Sequence, residues 1–129
     1  MARPAAAMTV LLVEDEVLIS NLVADALSAR GFTVHEMTTA DAAMRYIDSG
    51  AELDVLFTDI NLPGRMNGAE LARRARQLRP DLPIVYASGL YRYTDIGKLV
   101  PRSIFVAKPY DPDDIGMLLA RLTEAIAPG

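Results

Sequence analysis

TVLLVEDEVLISNLVADALSARGFTVHEM, residues 9–37, is the stretch on which the choice of fold turns. Its first apolar run, Val10 to Val13, is short and stops at three acidic residues, Glu14, Asp15 and Glu16. A helical period follows. Ile19, Leu22, Val23 and Ala26 fall at i, i+3, i+4 and i+7, which predicts a helix from about Val17 to Arg30 with Gly31 ending it. A second β-branched run, Thr33 to Glu36, comes directly after. A strand, a helix and a strand joined by connections this short lie parallel, because the helix has to cross a face of the sheet.

The same alternation continues to the end of the chain. Further strand-like runs are Val55 to Thr58, Ile84 to Ala87 and Ile104 to Ala107, and all but Thr33 to Glu36 are mostly apolar, as strands covered on both faces should be. The more polar Thr33–Glu36 run is therefore placed at an edge. A second helix begins near Thr39, carries Ala43, Met44 and Ile47, and ends at Ser49-Gly50. A third carries Leu71, Ala72, Ala75 and Leu78, with Glu70 and Arg74 spaced for a weak ion pair, and stops before Pro80. The last is the best signalled: Asp111 caps, Pro112 takes the first helical position, Asp113 and Asp114 suit the dipole, and Ile115, Leu118, Leu119, Leu122 and Ile126 form its stripe. Tyr91 to Val100, with Gly97 inside it and Pro101 behind, is a poor helix on propensity and the expected mobile element. The predicted fold is an α/β, doubly wound, five-stranded parallel sheet in a single domain covering residues 9–127, with 1–8 as a disordered tail.

Composition supports one packed unit. Of 129 residues, 51% are hydrophobic and 23% charged, and a chain of this size buries enough surface to fold without disulfides or a cysteine-bound zinc, neither of which its lack of cysteine permits. Seventeen acidic residues against thirteen basic ones give a net charge of −4, which argues against a nucleic-acid-binding surface. The amino terminus lacks the pattern of a signal peptide, and no stretch approaches the ~20 apolar residues that span a bilayer, so no membrane contact and a cytoplasmic location are expected.

In open parallel sheets ligands bind beyond the carboxyl ends of the strands. Glu14 and Asp15 follow the first run, Asp59 the third, Ser88 the fourth and Lys108 the fifth. Taken singly these residues are a solvated acidic loop, a helix cap, a turn former and a surface lysine. Taken together they bring three carboxylates, a hydroxyl and an ammonium to one rim. Clustered carboxylates repel one another unless a cation neutralises them, and an oxygen-only ligand set suits Mg²⁺, with Mn²⁺ able to substitute. Lys108 and Ser88 add groups that bind a phosphoryl unit, and Asp59 is central enough to be the nucleophile.

The motifs VLLVEDE at 10–16, FTDINLPG at 57–64, NGAEL at 67–71, YASG at 86–89 and FVAKPY at 105–110, in this order and spacing, resemble the receiver domains of two-component response regulators from Thr9 to Ala125. The resemblance implies a flavodoxin-like sheet in which Asp59 takes a phosphoryl group from a histidine kinase or histidine phosphotransfer protein. It also implies that Glu14, Asp15 and the backbone carbonyl of Asn61 hold Mg²⁺ with Asp59, Asp15 directly. Ser88 and Lys108 match the residues that bind the phosphoryl oxygens, and Ser88 and Phe105 match the switch pair. The domain is then a phosphoacceptor rather than an enzyme, and it signals by binding a downstream protein partner. Gly64-Arg65-Met66 makes the loop after Pro63 one residue longer than is usual in the family, and Phe105 lacks the hydroxyl of the commoner tyrosine. PIVYASGL shares only Ala87 and Gly89 with the Phe-Ala-Thr-Gly-Tyr motif of a stand-alone subgroup. The Lys108-Pro109 bond is cis in many relatives.

Tyr91, Arg92 and Tyr93 follow the site directly and are a candidate partner surface, since aromatics and arginine are favoured at interfaces. Arg73, Arg74, Arg76 and Arg79 read as a solvated helix face, and His35, in a strand-like run, as a structural residue. Three competing functions remain: a receiver fold that binds partners without phosphorylation, a phosphate shuttle or sink, and an aspartyl-phosphate hydrolase. The last lacks a cap segment to enclose its substrate. Homodimerisation is left open.

Overall fold

Five short strands form one parallel sheet in the order β2-β1-β3-β4-β5, in a computed structural model that describes residues 8–89 and 99–126. The strands are β1 (Thr9–Val13), β2 (Thr33–Met37), β3 (Val55–Asp59), β4 (Ile84–Ser88) and β5 (Ser103–Ala107); the described helices are α1 (Val17–Ala29), α2 (Ala40–Asp48), α3 (Gly68–Leu78) and α4 (Pro112–Ile126). β1, β3 and β4 are buried throughout, and the polar β2 lies at an edge as expected. The apolar β5 is the other edge, and it is only half-buried.

Side-chain alternation divides the core into two layers. Leu11, Val13, Leu56, Ile84 and Tyr86 meet Ala40, Ala43 and Ile47 of α2 and Leu71, Ala72 and Ala75 of α3. Val10, Leu12, Val55, Phe57, Val85 and Ala87 meet Val23, Ala24 and Leu27 of α1 and Ile115 and Leu119 of α4. Because β1 pairs with β2 on one side and β3 on the other, the winding reverses between β1 and β3. Their carboxyl ends carry Glu14, Asp15 and Asp59 to that reversal, where open sheets leave a crevice.

Four details depart from the sequence reading. The buried face of α1 is Ser20, Val23, Ala24 and Leu27, while Leu22 is exposed. Apolar residues surround much of this helix, so periodicity could not choose its face. Ser20 is accommodated there because its hydroxyl donates to Glu36 Oε1 at 2.8 Å. On α3, Leu78 is exposed and Leu82 joins the core in its place. Arg76 and Arg79 are structural rather than merely solvated: Arg76 donates to the carbonyls of Leu82, Pro101 and Arg102, and Arg79 to those of Ile47 and Ala51. Arg73 and Arg74 do lie beside Glu70 on the outer face. Met8, placed with the tail above, is buried, and its carbonyl accepts from Thr33 N–H.

The caps follow the chemistry of their residues. Thr39 and Asn67 accept from the backbone N–H groups of Ala42 and Glu70, and Asp111 accepts from that of Asp113. Tyr91, Arg92 and Tyr93, and most of the Tyr91–Val100 segment, lie outside the described residues.

Candidate functional site

The crevice at the carboxyl edge is built around one cation. Lys108 leaves the end of β5 and its Nζ donates to Glu14 Oε1 at 2.6 Å and to Asp59 Oδ2 at 3.0 Å. Both acceptors are held in low-polarity surroundings: Glu14 is 2% exposed and Asp59 7%. Burial is the first cause that pushes both carboxyls above their ordinary range. The bonds to Lys108 oppose it in each case, and Asp15 adds to it at Asp59. Burial alone would lower the Lys108 ammonium, but the two carboxylate bonds outweigh it and its pKa is raised. Tyr110, packed against Phe57 with ring centroids 5.8 Å apart, is pushed up to about 12, by burial and then by the charge of Glu14.

Backbone pairing fixes these groups. Glu14 N–H donates to Met37 O, Ile60 N–H to Ala87 O and Lys108 N–H to Ser88 O, so each strand end is tied to its neighbour just where its functional side chain leaves the sheet. Glu14 also accepts from Glu16 N–H through Oε2 at 3.0 Å. Asp15 is exposed and points a third carboxylate at the same place: Glu14, Asp15 and Asp59 each offer an oxygen within 4.8 Å of the others. An all-oxygen set of this kind fits a hard divalent cation such as Mg²⁺, and the open Asp15 would be the ligand least committed to Lys108. The cavity in front holds about 290 Å³ and is lined by Asp15, Glu16, Asp59, Asn61, Gly89 and Lys108.

Thus Glu14, Asp15, Asp59 and Lys108, widely separated in sequence, meet in one site. Ser88 ends β4 beside it, buried, and Asn61 follows β3. Phe105 lies opposite Tyr86 in the β4–β5 pairing and packs against the α2–α3 layer of the core. The Lys108-Pro109 bond is cis.

Two contributors were not read from sequence. The Asn61 side chain, to which the sequence reading assigned no role, donates from Nδ2 to Ser88 Oγ at 2.8 Å. Gly68, the first residue of α3, lies against the backbone of Asp59 so closely that a Cβ there would stand 1.8 Å from the Asp59 carbonyl oxygen. The NGAEL motif contained this glycine, but spacing alone gives no reason for it.

Beside the crevice runs an apolar groove of about 360 Å³ between Ile19 and Leu22 of α1 and Lys108, Pro109, Tyr110 and Pro112. Val17, Leu18 and Leu22 at the start of the same helix are exposed apolar residues, Leu18 being 80% exposed.

A doubly wound parallel domain with an acidic crevice at its switch point and a lysine gripping the central aspartate is the architecture of a signalling receiver. The chain belongs to the response regulator receiver domain family, whose pattern it matches over residues 10–120, and so is a receiver domain of two-component signalling. Its fold agrees with a response regulator receiver protein from Sinorhizobium medicae WSM419 at a TM-score of 0.86 and 32% identity, covering 92% of this chain and 96% of that one. It is 31% identical over 120 residues to the sensor kinase CckA of Brucella abortus (strain 2308), covering 90% of this chain and 12% of the kinase. It is likewise 31% identical over 110 residues to the aerobic respiration control protein ArcA of Escherichia coli (strain K12), covering 82% of this chain and 44% of ArcA. The chain therefore spans less than half the length of these two relatives. No helix among the described residues is long and apolar enough to cross a membrane.

Proposed function

We propose that Asp59 accepts a phosphoryl group from the phosphohistidine of a cytoplasmic histidine kinase or phosphotransfer protein, and that the domain acts as a phosphorylation switch rather than as an enzyme turning over an external substrate. The observation that carries this reading is the Lys108 ammonium bridging two buried carboxylates, with a third, Asp15, open beside them. In the transfer a carboxylate oxygen of Asp59 attacks phosphorus, the phosphorus–nitrogen bond breaks, and its electron pair returns to the donor imidazole. Mg²⁺ held by Asp15, Glu14, Asp59 and the Asn61 carbonyl would supply positive charge for the transferring group. Lys108 pairs with a phosphoryl oxygen, and the Ser88 hydroxyl donates to another. Drawing Ser88 toward the new charge leaves space that Phe105 takes, shifting the population toward a surface that a downstream protein reads.

Intact mass after incubation with phosphoramidate tests the acceptor. A single Mg²⁺-dependent phosphoryl adduct is expected on the wild type and none on Asp59→Asn. A folded wild type that stays unmodified, or an adduct that survives in Asp59→Asn, would overturn the assignment.

The apolar groove along α1 borders Lys108, so a histidine-bearing protein donor seated there would present its ring to Asp59. Leu22→Asp is expected to leave labelling by phosphoramidate unchanged while slowing transfer from a phosphorylated histidine phosphotransfer protein by about tenfold. Equal slowing with both donors, or with neither, would remove the groove from the docking surface.

A further inference from the structure

The turn that leads into β5 is strained and is held by groups outside it. Arg102 lies at φ 58°, in the left-handed region that residues with a side chain seldom enter, and such backbone persists only where its surroundings over-determine it. Arg76, on α3, donates to the carbonyls of Pro101 and Arg102 at 2.7 and 3.3 Å and to that of Leu82 at 3.1 Å. The Arg102 guanidinium donates in turn to Pro80 O at 3.3 Å. Ahead of these residues, Val100 N–H donates to the hydroxyl of Tyr86 at 3.2 Å, and the Val100 carbonyl accepts from Ser103 Oγ at 2.7 Å.

Tyr86 is the fully buried centre of β4, so its hydroxyl fixes, from within the core, the point at which the chain arrives at β5. Strand pairing sets Tyr86 opposite Phe105, with both side chains on the face of the sheet that α2 and α3 cover, and Leu99 and Val100 pack half-buried against that same layer. β5 is an edge strand and only half-buried, so its place depends on this turn as well as on its pairing with β4. We infer that the Val100–Ser103 turn is the hinge of the switch, and that Tyr86 and Arg76 are positioning residues that hold it shut through the hydroxyl and the guanidinium. For Phe105 to move deeper into the layer it shares with Tyr86, the Val100 backbone has to leave that hydroxyl. This rests on the reading of Asp59 as the acceptor and of Phe105 as the ring that moves. Loosening either hold lets the strained turn relax and shifts the population toward the switched arrangement.

The test uses the full chain and two variants. Tyr86→Phe keeps the ring and removes only the hydroxyl, whereas Arg76→Met keeps the stem and leaves Tyr86 in place. Two quantities are measured: amide hydrogen exchange resolved by residue, and the rate of Asp59 phosphorylation by phosphoramidate at saturating Mg²⁺. In Tyr86→Phe the Val100 amide is expected to exchange roughly three- to tenfold faster, the range of one net hydrogen bond, while the amides of β1 and β3 keep their protection. Phosphorylation should be about threefold faster, because a larger share of the molecules is already in the switched arrangement. Arg76→Met should move both quantities in the same direction. Linkage requires the reverse effect as well: wild type kept phosphorylated in excess phosphoramidate and Mg²⁺ should exchange its Val100 amide faster than the unmodified protein. An unchanged or lowered phosphorylation rate in the variants, a loss of protection spread over β1 and β3, or a Val100 amide indifferent to phosphorylation would overturn the inference. If intact mass shows that the wild type takes up no phosphoryl group, the assignment of Asp59 falls and the hinge with it; if it is labelled and Val100 does not respond, the acceptor stands and the hinge does not.

Discussion

Lys108→Met is expected to destabilise the domain by about 3 kcal/mol at neutral pH, the cost of leaving buried carboxylates without their cation. For a chain of this size that is roughly 10 °C in Tm. Lys108 is the shared partner of Glu14 and Asp59, both almost fully buried, and methionine keeps the shape of the stem while removing the charge. The loss should depend on pH in a definite direction. Burial already places both carboxyls above their ordinary values of 4.5 and 3.8, and removing Lys108 takes away the group that opposes it. A group whose pKa is higher in the folded than in the unfolded chain favours the native state fully below the unfolded value, and that contribution is lost as pH rises through the folded value. The variant should therefore lie closest to wild type in mild acid and fall progressively behind toward neutrality. The titration of Lys108 itself lies above its ordinary 10.5, outside this window. Mg²⁺ should restore part of the lost stability by replacing the missing positive charge. Thermal unfolding of both proteins between about pH 5 and pH 8, with and without Mg²⁺, decides the matter, and parallel pH profiles would show that the ammonium does not carry the pair.

Most of this architecture was legible because the signals that encode it are local. Val10–Val13 and Ile84–Ala87 are too short and too apolar to be anything but buried strands between helical periods, and each bounds its element to within a residue or two. The acidic pair, Asp59 and Lys108 were legible for a related reason: a charged residue at the end of a parallel strand is carried to the carboxyl edge, where open sheets bind ligands. What depended on packing was less accessible. The face of α1 is decided by what lies against it: a Cβ on Gly116 of α4 would meet the Arg30 side chain at 2.8 Å, so the two helices run close together and Leu22 is left outside. Arg76 and Arg79 look like surface charge in sequence, yet they satisfy carbonyls at turns distant along the chain. Asn61 and Gly68 matter through contacts made after the loop between β3 and α3 has closed, and no periodicity announces such contacts.

Gly68→Ala is expected to cost about 3 kcal/mol or more, although alanine in a helix ordinarily gains up to ~1 kcal/mol over glycine. The requirement is one of space. The atoms nearest a Cβ would be the Asp59 carbonyl oxygen at 1.8 Å, the Asp59 carbonyl carbon at 2.8 Å and Ile60 Cα at 3.0 Å, all of them backbone, so no rotamer change relieves the clash. The same residue donates its N–H to Ile60 O at 2.8 Å, which closes the 60–68 loop onto the end of β3. Leu62 and Met66 within that loop are buried in the core, while Gly64, at φ 98°, takes a turn that other residues rarely adopt. The loop therefore keeps its apolar residues inside and its Gly64 turn outside, and its closing point is held against the end of β3 at Asp59. Moving α3 outward by the ångström or more that a methyl group needs would break the Gly68–Ile60 bond and shift the backbone carrying both Asp59 and Asn61. The variant should thus lose Mg²⁺ affinity as well as melt roughly 10 °C lower. Calorimetric unfolding and a Mg²⁺ titration on the same preparation separate the two effects. A variant that melts within a degree or two of wild type and binds Mg²⁺ normally would mean that α3 can slide without taking Asp59 with it, and that the contact at Gly68 does not position the site.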